Sequence, residues 1–299
     1  MDKWIIILSV IVTGGLWLRF IYKYDSVEPE PIKVVLKIAI LGGLCSATLA
    51  ALVNIISGKI LGYSDTGYNS LIKTGIYSMA VGLNEEFMKA YFAYFFTKNL
   101  KELDEPIDAV IYSTSVALGF AVIENFLYTI SQGFNGGLYT LGVRSFTAMP
   151  LHIGLAVLFG VSITRLRFLE EKTYFDEMKK TVLLAAVIHG VYDFILFYFK
   201  NPILGLITSL VIAFILIVKM NKTLKYLQGQ TPFLPAGTCT NCGIENSPTA
   251  KTCLKCGFGL EQEYFIVCPN CATKLPTHFT ECSSCGYAVD TKNLYQDKN

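Results

Sequence analysis

The chain has 299 residues, of which 53% are hydrophobic and only 16% charged, with a mean hydropathy of +0.47. This balance excludes an ordinary soluble domain and points to several membrane-spanning helices. The net charge of +2 carries no nucleic-acid signal, because most basic residues lie in short loops and in the tail.

Seven helical spans are predicted, at approximately 4–22, 34–62, 70–97, 107–131, 138–164, 180–199 and 202–220. Each is long enough to cross a hydrocarbon core of about 30 Å at 1.5 Å per residue. The first span follows only Asp2 and Lys3 and lacks a small-x-small cleavage site, so it reads as a retained anchor. Cys45, in the second span, reads as a small apolar filler.

Polar residues interrupt four successive spans. The third contains Asn84-Glu85-Glu86-Phe87-Met88-Lys89, the fourth Glu124-Asn125, the fifth His152, and the sixth His189 with Asp193. A charged group at mid-membrane costs on the order of 3 kcal/mol, so such residues normally face the bundle and have a task. Lys89 lies four residues from Glu85 and three from Glu86, so it neighbours both on a helix. The two glutamates point about 100° apart, so one is expected to do chemistry while the other supports it. Asp193, four residues after His189, is placed to hold that imidazole in one tautomer. Asn125 offers neutral donors for a developing oxyanion. The blander reading of each is helix-to-helix glue, but together they exceed what packing requires.

Basic residues flank alternate loops unevenly. Arg19, Lys23, Lys33, Lys37, Lys98, Lys101, Arg165, Arg167, Lys172, Lys179, Lys180, Lys219, Lys222 and Lys225 gather on one side. Lys3, Lys59, Lys73, Arg144 and Lys200 fall on the other, and the Ser131–Gly137 connection carries no charge. The N-terminus is therefore expected outside and the C-terminal tail in the cytosol, for a protein of the cell membrane.

Eight of the nine cysteines form two frames offset by 29 residues, Cys239, Cys242, Cys253, Cys256 and then Cys268, Cys271, Cys282, Cys285. Paired C-x-x-C knuckles supply a tetrahedral sulfur shell for one structural zinc in each frame. A cytosolic tail supports zinc over disulfides. Gly257 and Gly286 follow the second knuckles, where the chain needs a tight turn. Acidic and basic residues nearly balance between Cys239 and Cys285, so protein recognition is expected of these modules and not nucleic-acid binding.

The ordered set Glu-Glu-x-x-Lys, Phe-x-x-x-Glu-Asn, a membrane-embedded His, and His-x-x-x-Asp resembles the PrsW family of intramembrane proteases. That family is related to the CAAX prenyl protease and bacteriocin-processing group. The resemblance covers roughly residues 1–220 and implies a polytopic membrane peptidase, typified by a member that cleaves a membrane-bound anti-sigma factor. It implies that Glu85 and Glu86 are the paired catalytic glutamates and Lys89 their partner. Glu124 with Asn125, His152, and His189 with Asp193 match the remaining motifs. The cysteine modules lie outside the family core.

The expected architecture is an all-α polytopic membrane protein with about seven transmembrane helices and two small C-terminal zinc ribbons. Its parts are a transmembrane peptidase domain over 1–221, a linker over 222–238, ribbons over 239–260 and 261–290, and a tail over 291–299. The expected chemistry is hydrolysis of a membrane-anchored protein or peptide, with Glu85 favoured as the base that deprotonates water. His152, His189 and Glu124 also make a ligand set suited to catalytic zinc, so participation of a metal stays open, with the metal-free scheme preferred. The ribbons are expected to engage a cytosolic partner, a substrate tail or a second copy. Competing readings are a proton-coupled transporter, which residues 1–220 do not support by any internal repeat, and a non-catalytic sensor or scaffold.

Overall fold

A computed structural model describes residues 2–289 apart from 65–68, 169–173, 200–201, 230, 232, 235–236, 240, 248–249, 261–264, 269, 272 and 277–280. The tail expected over 291–299 lies outside the described residues. Eight helices are present: α1 (Asp2–Tyr22), α2 (Ile32–Leu61), α3 (Leu71–Thr97), α4 (Asp108–Ser131), α5 (Gly133–Phe146), α6 (Ala148–Phe168), α7 (Tyr174–Phe199) and α8 (Pro202–Gln228). Three short strands follow, β1 (Phe233–Leu234), β2 (Phe265–Val267) and β3 (Lys274–Pro276), in one antiparallel sheet of order β1-β2-β3.

Six helical stretches are long and apolar enough to cross a membrane, counting Gly133–Phe168 as one. At 27 residues α3 is also long enough, but Asn84, Glu85, Glu86 and Lys89 lower its hydropathy. The expected fifth span at 138–164 is corrected. It is divided at Thr147 into α5, only 14 residues long, and α6, which makes the crossing. Pro150 explains the division: without an amide proton it fits the first turn of a new helix and not the interior of a continuous one. The uncharged loop expected at Ser131–Gly137 shrinks to Gln132 between α4 and α5. The last helix also runs on to Gln228, into the stretch expected to be linker.

The bundle is arranged around α4. Every residue from Asp108 to Leu118 is buried, many of them small, and α4 packs broadly on α2 and α6 while α3 packs on α7. Two glycine contacts allow backbones to touch. A Cβ added at Gly119 of α4 would sit 1.9 Å from the Ala39 carbonyl oxygen of α2. One added at Gly82 of α3 would sit 2.6 Å from the Ala186 carbonyl oxygen of α7. Close approach at small residues is how helices associate where lipid removes the hydrophobic drive. It also sets the helices that carry Glu124, Glu85 and His189 at short range. The outward faces expose large apolar side chains, among them Ile40, Leu44 and Leu52 of α2 and the stacked Phe87, Tyr91 and Phe95 of α3.

The second ribbon packs on the end of the bundle where α1 finishes and α2 begins, against Val27 and Phe168. Tyr24 donates its hydroxyl proton to Asn221 of α8, and the Thr231 hydroxyl donates to Glu105 in the α3–α4 connection. This end is acidic. Burial pushes Asp25 up to about 6, and burial followed by the charges of Asp104 and Asp25 pushes Glu28 up to about 8.

Gly119→Ala is expected to destabilise the bundle by about 1–3 kcal/mol, because a backbone carbonyl cannot move aside as a side chain can. Thermal unfolding in detergent measures the loss.

Candidate functional site

A cavity of about 930 Å³ opens within the bundle, at the upper end of the range for ligand sites. Every helix except α1 contributes to its wall. Glu85 of α3, Glu124 of α4, His152 of α6, and His189 and Asp193 of α7 all line it. Glu86, Lys89 and Asn125 are fully buried just behind that wall.

The polar side chains form one continuous network. Glu86 Oε1 accepts from Lys89 Nζ at 2.6 Å and from His189 Nδ1 at 2.7 Å. Lys89 Nζ also meets His152 Nδ1 at 2.8 Å. An ammonium group has no lone pair to offer, so Nδ1 of neutral His152 is the acceptor and Nε2 carries the proton. That Nε2–H donates to Glu124 Oε2 at 2.9 Å. Arg144 Nη2 donates to the same oxygen at 2.7 Å, while Arg144 Nε donates to Asn125 Oδ1 at 2.7 Å. Buried charges are thus answered by opposite charges and hydrogen bonds, the condition under which they are tolerated.

Glu85 and Glu86 occupy different environments. Glu86 lies inside the network and away from the cavity. Glu85 faces the cavity; its Oε1 accepts from Asn54 Nδ2 at 3.0 Å, and its buried Oε2 has no hydrogen-bond partner among the described residues. His189 Nε2 faces Glu85 Oε2 at 3.7 Å and Asp193 Oδ2 at 3.6 Å. Those gaps are too long for direct hydrogen bonds and suit a bridging water.

Several placements differ from sequence expectation. The His189 ring is held at Nδ1 by Glu86, not by Asp193 four residues on. Asn125, expected as an oxyanion donor, sits behind Arg144 and holds its guanidinium. His152 is the fifth residue of α6, which starts at Ala148. Arg144, read from sequence as a loop-flanking base, lines the cavity and lies over the Tyr128 ring at 4.1 Å. Its position inside an apolar stretch was the signal available. Asn54 of α2 is a second polar lining residue that sequence reasoning did not single out.

The donor set that comes together for a metal is Glu85, His152 and His189, with ligand atoms all within 4.8 Å of one another. It replaces the set of His152, His189 and Glu124 expected from sequence. Two imidazoles and a carboxylate fit catalytic zinc by type and spacing. Both nitrogens of His152 are already engaged, so it enters such a shell only by exchanging Lys89 or Glu124.

Each cysteine frame forms a compact tetrad. Cys239 and Cys256 Sγ are 3.6 Å apart, as are Cys242 and Cys253; Cys268–Cys285 and Cys271–Cys282 are 3.6 and 3.5 Å. A tetrahedron of 2.3 Å zinc–sulfur bonds has edges of about 3.8 Å, so both tetrads fit zinc and are too wide for disulfides. Gly257 and Gly286 adopt φ of 70° and 69°, the left-handed turn that their positions after each knuckle require.

Residues 30–220 match the family described as PrsW family intramembrane metalloprotease, and residues 239–286 match the double zinc ribbon family. The protease PrsW of Clostridioides difficile (strain 630) is 29% identical over 231 residues, covering 76% of this chain and 92% of that relative. The protease PrsW of Geobacillus kaustophilus (strain HTA426) is 28% identical over 191 residues, covering 64% and 79%. That of Bacillus subtilis (strain 168) is 26% identical over 196 residues, covering 66% and 84%. No solved structure matches the chain.

Lys89→Met would leave His189 as the remaining partner of the buried Glu86 carboxylate among the described residues, and a loss of about 3 kcal/mol in stability is expected from detergent unfolding curves. Cys253→Ser should lower bound zinc by one ion per chain, and Cys253→Ser with Cys282→Ser by two, as counted by metal analysis.

Proposed function

This chain belongs to the PrsW family of intramembrane metalloproteases, and on that premise we propose that Glu85 activates the water that cleaves a membrane-anchored protein within this cavity. The single observation that carries the assignment is the contrast between the glutamates. Glu85 lines the cavity with its buried Oε2 free of any hydrogen bond among the described residues, whereas Glu86, whose Oε2 is likewise unpartnered, lies behind the wall with its Oε1 held by Lys89 and His189.

A water between Glu85 Oε2, His189 Nε2 and Asp193 Oδ2 gives its proton to Glu85 as its oxygen attacks the scissile carbonyl carbon. The carbonyl oxygen takes on negative charge, and Arg144 is the cationic side chain in the cavity wall placed to stabilise it. Glu85 then returns the proton to the leaving amine nitrogen as the carbon–nitrogen bond breaks. Glu86, Lys89 and Asn125 act through others: Glu86 fixes the His189 ring, Lys89 fixes His152, and Asn125 aims Arg144. Glu85, His152 and His189 would hold a zinc ion that acidifies a bound water and polarises the carbonyl, with Glu85 then a ligand in place of the base.

The ribbon end of the bundle is assigned to the cytosol and the opposite end to the exterior. The basic residues Lys23, Lys33, Lys98, Lys101, Arg165 and Arg167 near that end support this, since such residues are retained on the cytosolic side. A reducing compartment also keeps the ribbon thiols available for zinc.

Glu85→Gln is expected to lower cleavage of a membrane-anchored reporter by about 10²–10⁴-fold in reconstituted vesicles while leaving thermal unfolding unchanged. Cleavage at the wild-type rate would remove Glu85 from the mechanism.

A further inference from the structure

Away from the cavity, at the ribbon end, carboxylates from three segments converge. Asp25 and Glu30 come from the α1–α2 connection, Glu105 from the α3–α4 connection, and Asp108 is the first residue of α4. One oxygen from each of Asp25, Glu105 and Asp108 lies within 4.8 Å of the other two. All four residues are buried, with Asp25, Glu30 and Asp108 only 4, 1 and 0% exposed.

Each carboxylate is oriented through one of its oxygens. Asp25 Oδ2 accepts the Glu30 amide proton at 2.7 Å, and Asp108 Oδ2 accepts those of Asp104 and Glu105 at 3.0 and 2.5 Å. Glu105 Oε1 accepts from the Thr231 hydroxyl and Glu30 Oε2 from the Tyr112 hydroxyl. Of the remaining oxygens, Asp25 Oδ1, Glu30 Oε1 and Asp108 Oδ1 are buried with no hydrogen-bond partner among the described residues. Among the described residues no lysine or arginine forms an ion pair with any of these groups. Buried carboxylates held in place on one side, and bare on the other, are arranged as a ligand shell is, with outer partners orienting inner oxygens.

We propose that Asp25, Glu105 and Asp108 bind a hard divalent cation, magnesium or calcium, at the ribbon end of the membrane domain. The donors are all oxygen, with neither imidazole nor thiolate, which selects this class over zinc or copper. Oxygens on opposite sides of an octahedral magnesium are about 4.2 Å apart and those around calcium up to about 5 Å, so separations bounded by 4.8 Å are compatible with one shared ion. The ion would join the connections preceding α2 and α4, and α4 carries Glu124 and Asn125 into the cavity. Through Glu105 and Thr231 it would also tie the segment leading to the ribbons onto the bundle. The site does not depend on the peptidase assignment.

Manganese(II) serves as the probe, because carboxylate sites for magnesium or calcium accept it and its resonance signal counts free ion. Full-length protein in detergent, with its ribbons loaded with zinc and other divalent cations removed, is titrated with it. One manganese per chain is expected, with a dissociation constant below about 1 mM. Competition by magnesium and by calcium identifies which ion the site prefers. Asp25→Asn and Glu105→Gln, each retaining an oxygen for its existing hydrogen bond, should each weaken binding at least tenfold. His152→Ala should leave it unchanged. The proposal is overturned if wild-type protein binds no manganese at this concentration, a result that needs no variant to fold. It is equally overturned if Glu105→Gln binds as wild type does, or if His152→Ala abolishes binding and so moves the ion to the cavity.

Discussion

Glu86 Oε1 accepts from Lys89 on its own helix and from His189 on α7, and the remaining geometry of the cavity is referred to that one oxygen. A carboxylate taken out of water is tolerated only when its charge is met nearby. Meeting it here requires α3 and α7 to lie in contact, which Gly82 permits at the level of the backbones. Once Lys89 is drawn to Glu86 its ammonium reaches His152, and His152 in turn donates to Glu124. The order of charges therefore fixes which nitrogen of His152 bears a proton. It also leaves Glu85, one residue away, turned toward the cavity.

Separating positioning groups from reacting groups follows from the same arrangement. Lys89, Glu86 and Asn125 are fully buried and each is tied to its neighbours by at least one hydrogen bond, which suits rigid support. Glu85, His189 and Asp193 face one another across gaps close to 3.7 Å, which suits a small molecule between them. Preorganised polar groups held among buried apolar walls act more strongly than they would in solution. Placing them on helices of a tightly packed bundle keeps that geometry without further reorganisation.

Much of this was legible in the sequence because the signals were of kinds that spacing preserves. Long apolar runs marked seven crossings, and cysteine spacing marked two metal tetrads whose sulfur separations fit zinc. What the sequence left hidden depends on direction and depth. Helical spacing allowed Lys89 to serve either glutamate, and only the packed structure pairs it with Glu86. Asp193 stood at the correct interval from His189, yet Glu86 from another helix took the nearer nitrogen. Arg144 looked like a flanking charge because the division at Thr147, which aims it inward, is set by Pro150 and by packing. The grouping of Asp25, Glu105 and Asp108 was not singled out from sequence, since no periodicity reveals that two separate connections fold over one another.

The two cysteine modules share a spacing but not a surrounding. The second contributes Ile266, Cys268, Leu275, Cys282 and Val289 to a cluster that includes Phe168 from the end of α6, with Val27 of the α1–α2 connection against it. The first buries little beyond Cys239 and Cys253 and leaves Leu254 89% exposed. Oxidation or metal starvation would consequently be felt unequally. Damage to the membrane-proximal module would propagate into the helix that bears His152, whereas the outlying module would unravel without disturbing the bundle.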